Sequence, residues 1–342
     1  MFNGRKQKNK FAVLMVGMIA LTLVAAACGK NENNEDASAS PSASASAPAS
    51  TEPSASPSAS AVTATEKTMT DALGNEVVIP ANPQRVLATY LEDQLVALGV
   101  KPVAQWSVAN GVQDYLKAEL EGVPTIAYDL PFEAVTSFEP DLIIMGSAAA
   151  VEGDKYAQYS QIAPTYTIGD QVNNDWRQSL LKIGEILNKS DVAEKVLADY
   201  EAKATDAKDK LQQAAPDQSA AALWLVQKQF YVVSDKLSSG SVLYQDLGLK
   251  VPSVVAEISK TSGSNWLPIS LEQLAQLDAD HLFLVNSDAS TGSEALKDPV
   301  WQGIPAVKNG NLYEYPNTSS WLYTGTIANT QIIDDVLESI VK

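Results

Sequence analysis

The same short pattern is written twice in this chain: FEAVTSFEPDLII from Phe132 to Ile144, and LEQLAQLDADHLF from Leu271 to Phe283. In each copy a glutamate, Glu133 or Glu272, opens a helical stretch whose apolar positions (Val135 and Phe138; Leu274 and Leu277) lie three apart and face inward. An acidic residue and then an aspartate follow. Next comes an apolar run, Leu142 to Met145 or His281 to Val285, with the length and composition of a buried strand. Each copy predicts one unit of helix, tight turn and strand, and two copies predict two similar lobes. A negative charge at a helix start is favoured by the dipole, so capping explains either glutamate taken singly. Their matched placement calls for a second role.

Between the copies lies NNDWRQSLLKIGEILNKSDVAEKVLADYEAKATDAKDKLQQAA, the longest helical stretch. Asn188-Lys189-Ser190 breaks it in two, with Ser190 capping the second piece. From Asp191 to about Gln213 there is neither Gly nor Pro, and Val192, Val196, Leu197, Tyr200, Ala204 and Leu211 form a stripe of helical period. At 1.5 Å per residue this piece runs roughly 35 Å, enough to cross the back of two small lobes. With 342 residues, 45% of them hydrophobic, two ordinary cores can be filled. Short strands alternate with helices on either side of the long helix, so the predicted class is α/β, with mainly parallel sheets in two Rossmann-like lobes. The expected divisions are 66–172, a helical segment 173–214, and 215–342.

The N-terminus reads as an export signal over 1–27. Arg5, Lys6, Lys8 and Lys10 precede the apolar run Phe11 to Ala27, which is short for a membrane span and ends in small residues. Cys28 is the only cysteine, which excludes a disulfide within one molecule. Ala25-Ala26-Ala27-Cys28 resembles the lipobox of bacterial lipoproteins, which implies a diacylated thiol holding the mature chain on the membrane; a plain secretory signal is the alternative. From 28 to 65 the composition collapses into Asn, Glu, Ala, Ser and Pro, a disordered tether. The expected location is the extracytoplasmic face of the cell membrane, in a single-membrane bacterium, although periplasmic lipoproteins carry similar linkers.

The formal net charge of −17 argues against nucleic acid or anionic lipid as partner. Catalysis also lacks its parts. The one histidine, His281, sits in a strand pattern, and neither G-x-S-x-G, nor G-x-G-x-x-G, nor a P-loop occurs. Direct capture of Zn or Mn needs several His and carboxylate ligands, and an axial haem ligand would have to come from Met69, Met145 or a Tyr. The chain is expected to be no enzyme and to have no cofactor, with any metal arriving already chelated.

The pieces DALGNEVVIPANPQRV, LVALGVKPVAQ, EPDLIIMG, WRQSLLKIGEILN, SGSVLYQDLGLKVP, ISLEQLAQLDADHLFLV, DPVWQGIPAVKNGNLY and WLYTGTIANTQIIDDVL, in this order, resemble the iron-siderophore substrate-binding lipoproteins of ABC importers. The resemblance implies two lobes joined by one rigid helix, a ligand cleft between them, and a monomer that delivers its cargo to an ABC permease driven by a cytoplasmic ATPase. It also implies that Glu133 and Glu272, one per lobe, dock on permease arginines.

Basic residues narrow the cargo. Receptors for ferric tris-catecholates in this family supply a basic triad, whereas Arg85 and Arg177 are the only arginines after the signal. Arg85 sits in the PQRV turn, where a structural role is expected, and Arg177 near a helix start. Gln227 and Lys228 stand where catecholate receptors tend to place arginine. A weakly charged ferric siderophore of the hydroxamate type fits best, held by aromatic faces at strand ends: Tyr90, Trp106, Phe230, Tyr231, Trp266, Trp321 and Tyr323. Cobalamin, haem, or a catecholate or citrate chelate in the same fold stays open as an alternative, and a surface adhesin is the reading from another class.

Overall fold

The structure is a computed structural model that describes residues 65–109, 111–291 and 293–341. The signal, Cys28 and most of the tether lie outside the described residues.

The described chain opens with an antiparallel hairpin, Lys67–Thr70 with Glu76–Ile79. Its turn is held by Asp71, whose carboxylate accepts the N–H of Leu73 at 2.9 Å and of Asn75 at 2.8 Å. The first lobe follows as parallel strands. Leu142–Met145 lies between Val86–Leu87 and Thr165–Thr167, and Gln105–Ser107 pairs with Thr125–Ala127. In the second lobe Ala220–Val226, His281–Asn286 and Leu312–Pro316 run parallel, and Gln229–Val233 and Trp266–Pro268 extend the sheet antiparallel at one edge.

The repeated aspartate has a fold role that explains half of the pattern. Asp141 accepts the backbone N–H of Gln84 at 2.7 Å and of Arg85 at 3.0 Å. Asp280 accepts the N–H and the hydroxyl of Ser219, each at 2.8 Å. In both lobes the aspartate that ends the repeat therefore clamps the residues entering the neighbouring parallel strand, pairing Val86 with Leu142 and Ala220 with His281. Arg85 is part of the same joint: its Nε donates to the Glu139 carbonyl at 2.8 Å and its terminal nitrogen to that of Phe138, the two carbonyls that follow helix Phe132–Ser137.

The bridging helix spans Ser190–Ala214, 25 residues. Two details differ from the sequence reading. Ser190 is already helical and makes no capping hydrogen bond; the break is made by Asn188 in the left-handed region (φ 56°), with its side chain donating to the Ala81 carbonyl at 3.1 Å. Val192 is exposed, and Ala193 faces inward in its place. The cause is close packing: helix Trp176–Ile186 approaches there through Gly184, where a Cβ would lie 2.6 Å from the Ala193 Cβ. The remaining buried face is Tyr200, Ala204, Ala207 and Leu211.

The last helix, Thr326–Ile340, does not stay with the second sheet. It packs on the bridging helix and on helix Glu92–Ala97 of the first lobe, burying Ala328, Ile332, Ile333 and Val336. The lobes are thus joined by two helices, one at the middle of the chain and one at its end.

Candidate functional site: the cleft between the lobes

Strand ends from both lobes open onto one cleft with two chambers. The larger, about 650 Å³, is lined by Tyr90, Trp106, Val112 and Asp114 on one side and by Trp224, Gln227, Asn265, Trp266, Ser287 and Asp288 on the other. The smaller, about 380 Å³, is lined by Gln94, Gln113, Trp176, Arg177, Lys236, Ser241 and Asp246. Tyr90, Asn265 and Tyr323 belong to both and mark the passage between them.

The aromatic rings form two walls. Tyr90 meets Trp106 edge-on at 5.1 Å and Tyr323 at 6.4 Å, and Tyr323 lies 5.0 Å from Tyr115. Opposite, Trp224 lies 6.1 Å from Trp266 and 5.6 Å from Tyr231, with its indole N–H donating to the Ser287 hydroxyl at 2.9 Å. Tyr90 is 49% exposed, so its ring is open to the cleft, and it stands at φ 62°, a left-handed conformation that a bulky residue adopts only when its surroundings impose it. Gln227 and Lys228 are also left-handed, forming a two-residue hairpin turn; both of their N–H groups bond to Asp288, at 2.9 and 2.7 Å.

Under the Tyr90–Trp106 wall lie two buried carboxyls, Glu92 and Asp93. Glu92 accepts the Trp106 N–H at 2.6 Å through one oxygen and leaves the other without a partner. Asp93 accepts from Ile327 N–H (3.0 Å), Ala328 N–H (2.9 Å) and Tyr115 hydroxyl (3.1 Å), so a first-lobe side chain caps the last helix. Burial pushes Glu92 up to about 7 and Asp93 up to about 6, in each case against hydrogen bonds that favour the anion. A carboxyl whose folded-state value is raised contributes stability below its unfolded value, and that contribution is lost as pH rises through the folded one. For Glu92 the window is from about 4.5 to about 7. Glu92→Gln keeps an acceptor for the Trp106 N–H and should therefore be more stable than the parent at pH 8, on the order of 2–3 kcal/mol, with the gain shrinking to below about 1 kcal/mol at pH 5. Thermal melts of both proteins at the two pH values test this.

Sequence-predicted residues fall in different places. Tyr90, Trp106, Gln227, Trp266 and Tyr323 line the cleft. Trp321 does not: it is fully buried, stacked on Phe283 at 4.7 Å, and its indole N–H is held by Asp335 at 2.8 Å. Phe230 is likewise core, stacked on Trp301 at 5.1 Å, and Tyr231 backs Trp224 without reaching a chamber. Lys228 faces an outer groove beside Leu271. Arg177 lines the smaller chamber, but its charge is committed to Glu201 at 2.6 Å and Asp246 at 2.8 Å, which ties helix Trp176–Ile186 to the bridging helix and the second lobe. Trp224 was not anticipated, because it reads as one more apolar residue of a buried strand. His281 is buried in the second sheet, its ring nitrogens facing Tyr313 and Gln218. Among the described residues no group of three or more His, Cys, Asp or Glu is arranged to hold a metal ion.

Glu133 and Glu272 are both exposed, and neither forms an ion pair among the described residues. Glu272 is not needed as a cap. Ser270 and Gln273 form a reciprocal capping box at that helix start, and the Glu272 carboxyl is held below its usual range by its own backbone N–H and the Ser270 hydroxyl.

The profile of the family described as periplasmic binding protein matches residues 88–318. Among curated relatives, the Bacillus subtilis (strain 168) protein named "Probable siderophore-binding lipoprotein YfiY" is 29% identical over 81% of this chain and 88% of that protein. The "Iron(3+)-hydroxamate-binding protein FhuD" of the same organism is 28% identical over 79% and 85%. Of solved structures, a FhuD-fold periplasmic binding protein of a Fep/Fec-like ferrichrome ABC transporter from Bacillus subtilis aligns with TM-score 0.68 at 26% identity, covering 80% of this chain and 99% of that one. Staphylococcus aureus SirA complexed with staphyloferrin B aligns with TM-score 0.66 at 25% identity, covering 80% and 98%. Matched over more than half of its length, this chain belongs to the periplasmic binding protein family.

Proposed function

We propose that this chain captures a ferric siderophore of the hydroxamate type outside the cytoplasm and delivers it to an ABC permease for iron uptake. The observation that carries the reading is the larger chamber of the inter-lobe cleft, about 650 Å³, walled by aromatic rings from both lobes and with neither arginine nor lysine among its described lining residues. A compact octahedral chelate with a largely apolar exterior and no net negative charge suits such walls, which hold ligand by ring faces and a few polar groups. The relatives named for siderophore and iron(3+)-hydroxamate binding support the same class of cargo. Iron enters only as part of the chelate, with no resident cofactor and no catalytic step. The protein acts as a monomer, anchored through lipid on Cys28, and presents Glu133 and Glu272 to arginines of the permease. Two helices and the Asp93 cap join the lobes, so closure on the ligand is small. The test is uptake of radiolabelled iron as ferrioxamine B by cells with and without the gene. Loss of uptake restored by the gene supports the proposal, and unchanged uptake in its absence contradicts it.

A further inference from the structure

We infer that the cleft selects chelates of net positive charge over anionic ones, and that Asp114 is the side chain through which it reads that charge. The inference rests on the proposed function and specifies its ligand. Among the described residues lining the larger chamber are two carboxylates, Asp114 and Asp288, and no lysine or arginine. Asp288 is nearly buried and fixed in place by the two N–H groups of the hairpin turn, so it contributes a stationary negative charge. Asp114 differs. It is half-buried at the start of a short helical turn, and its carboxylate forms no ion pair among the described residues. It is therefore available to a ligand.

The rest of the cleft does not cancel this field. Arg177 in the smaller chamber is neutralised by Glu201 and Asp246, which leaves Lys236, exposed, as the one uncommitted cation among the described lining residues. Asp93 lies buried beneath the aromatic wall and bonds only to N–H and hydroxyl groups, so no cation balances it either. Charges on a ligand filling a chamber of this size sit well within a Debye length of Asp114 and Asp288, and low-dielectric walls focus the field. The ring faces of Tyr90, Trp106 and Trp224 add in the same direction, because an aromatic face attracts a cation and repels an anion. A further feature favours N–H-bearing ligand arms: Gln94 and Gln113, both more than nine-tenths buried, line the smaller chamber with amide oxygens that lack a hydrogen-bond partner.

The ligand class that matches is a ferric trihydroxamate, itself neutral at the metal core, carrying a protonated amine. Three probes with the same iron core separate charge from shape: ferrioxamine B with its free ammonium, its N-acetyl derivative, which is neutral, and its N-succinyl derivative, which is anionic. Dissociation constants for the purified full-length chain should rise in that order, by at least about tenfold from first to last at low ionic strength. The spread should narrow at about 0.5 M salt, where screening shortens the reach of each charge. In Asp114→Asn the spread between the cationic and anionic probes should fall by more than half, an effect on a ratio that a loss of folding does not produce. Equal constants for the three probes, or tightest binding of the succinyl derivative, would overturn the charge inference while leaving the capture of hydroxamates intact. An unchanged spread in Asp114→Asn would overturn the role of that residue. Binding of none of the three would remove the proposed function, and the inference with it.

Discussion

Replacing both Glu133 and Glu272 by alanine should abolish siderophore-iron uptake while the dissociation constant for the chelate and the thermal midpoint stay at parental values. Each glutamate is exposed, and neither has an ion-pair partner among the described residues. The structural duties of the repeat belong to its neighbours: Asp141 and Asp280 fix the strand starts, Arg85 closes one helix, and Ser270 with Gln273 caps the other. What remains for the glutamates is a pair of negative prongs, one on each lobe. A permease built with two-fold symmetry can meet such prongs with two basic sites, and buried charge pairs at such an interface are costly to break from one side. Each single substitution should leave intermediate uptake. Parallel measurement of uptake, chelate affinity and thermal midpoint separates the outcomes. A drop in affinity or in midpoint that accounts for the lost uptake would reassign the glutamates to the fold.

Gly325→Ala should be among the most destabilising single substitutions outside the strand cores. At φ 148° the glycine adopts a conformation that side chains disfavour, and a Cβ there would lie 2.2 Å from Cγ of Asp93 and 2.3 Å from its Oδ1. Asp93 cannot withdraw without abandoning the N–H groups of Ile327 and Ala328 and the hydroxyl of Tyr115, of which the last two would then be buried without partners. Strain plus the lost cap amounts to on the order of 3–5 kcal/mol, or a fall in midpoint of roughly 5–9 °C for a domain of this size. Because the same contact ties the last helix to the first lobe beneath Tyr90 and Trp106, ferrioxamine B affinity should fall as well. Calorimetry and a binding titration on the purified variant check both effects; a midpoint within about 2 °C of the parent would show that the tie is dispensable.

How far the sequence alone carries depends on the range of each interaction. The repeat led directly to the strand Leu142–Met145 and, with one residue added, to His281–Asn286, because a continuous apolar run between turn signals has few other uses. The bridging helix was readable from the absence of Gly and Pro over its length. Which of its residues face inward was less so, since Ala193 displaces Val192 only because another helix crosses there at Gly184. The cleft aromatics were legible as a group at strand ends but not one by one. Phe230 and Trp224 occupy neighbouring strands, and alternation along a strand does not reveal which face meets the cleft and which meets Trp301. Least legible was the Asp93–Gly325 contact, which joins opposite ends of the described chain. No local pattern marks Glu92 and Asp93 as buried, for a pair of acids in the first turn of a helix reads as ordinary dipole complementation.

The most direct test of the central claim, that the aromatic cleft between the lobes captures a ferric hydroxamate, is a tryptophan-fluorescence titration of the full-length chain. The probes are ferrioxamine B, a ferric tris-catecholate, ferric citrate, haem and cobalamin, corrected for inner-filter absorption, with Trp266→Ala as the paired variant. Saturable quenching by ferrioxamine B in the submicromolar range, at least tenfold weaker in the variant and absent with the other four, is the predicted result. Tighter binding of the catecholate, the citrate chelate, haem or cobalamin, or no saturable response to ferrioxamine B, would contradict it.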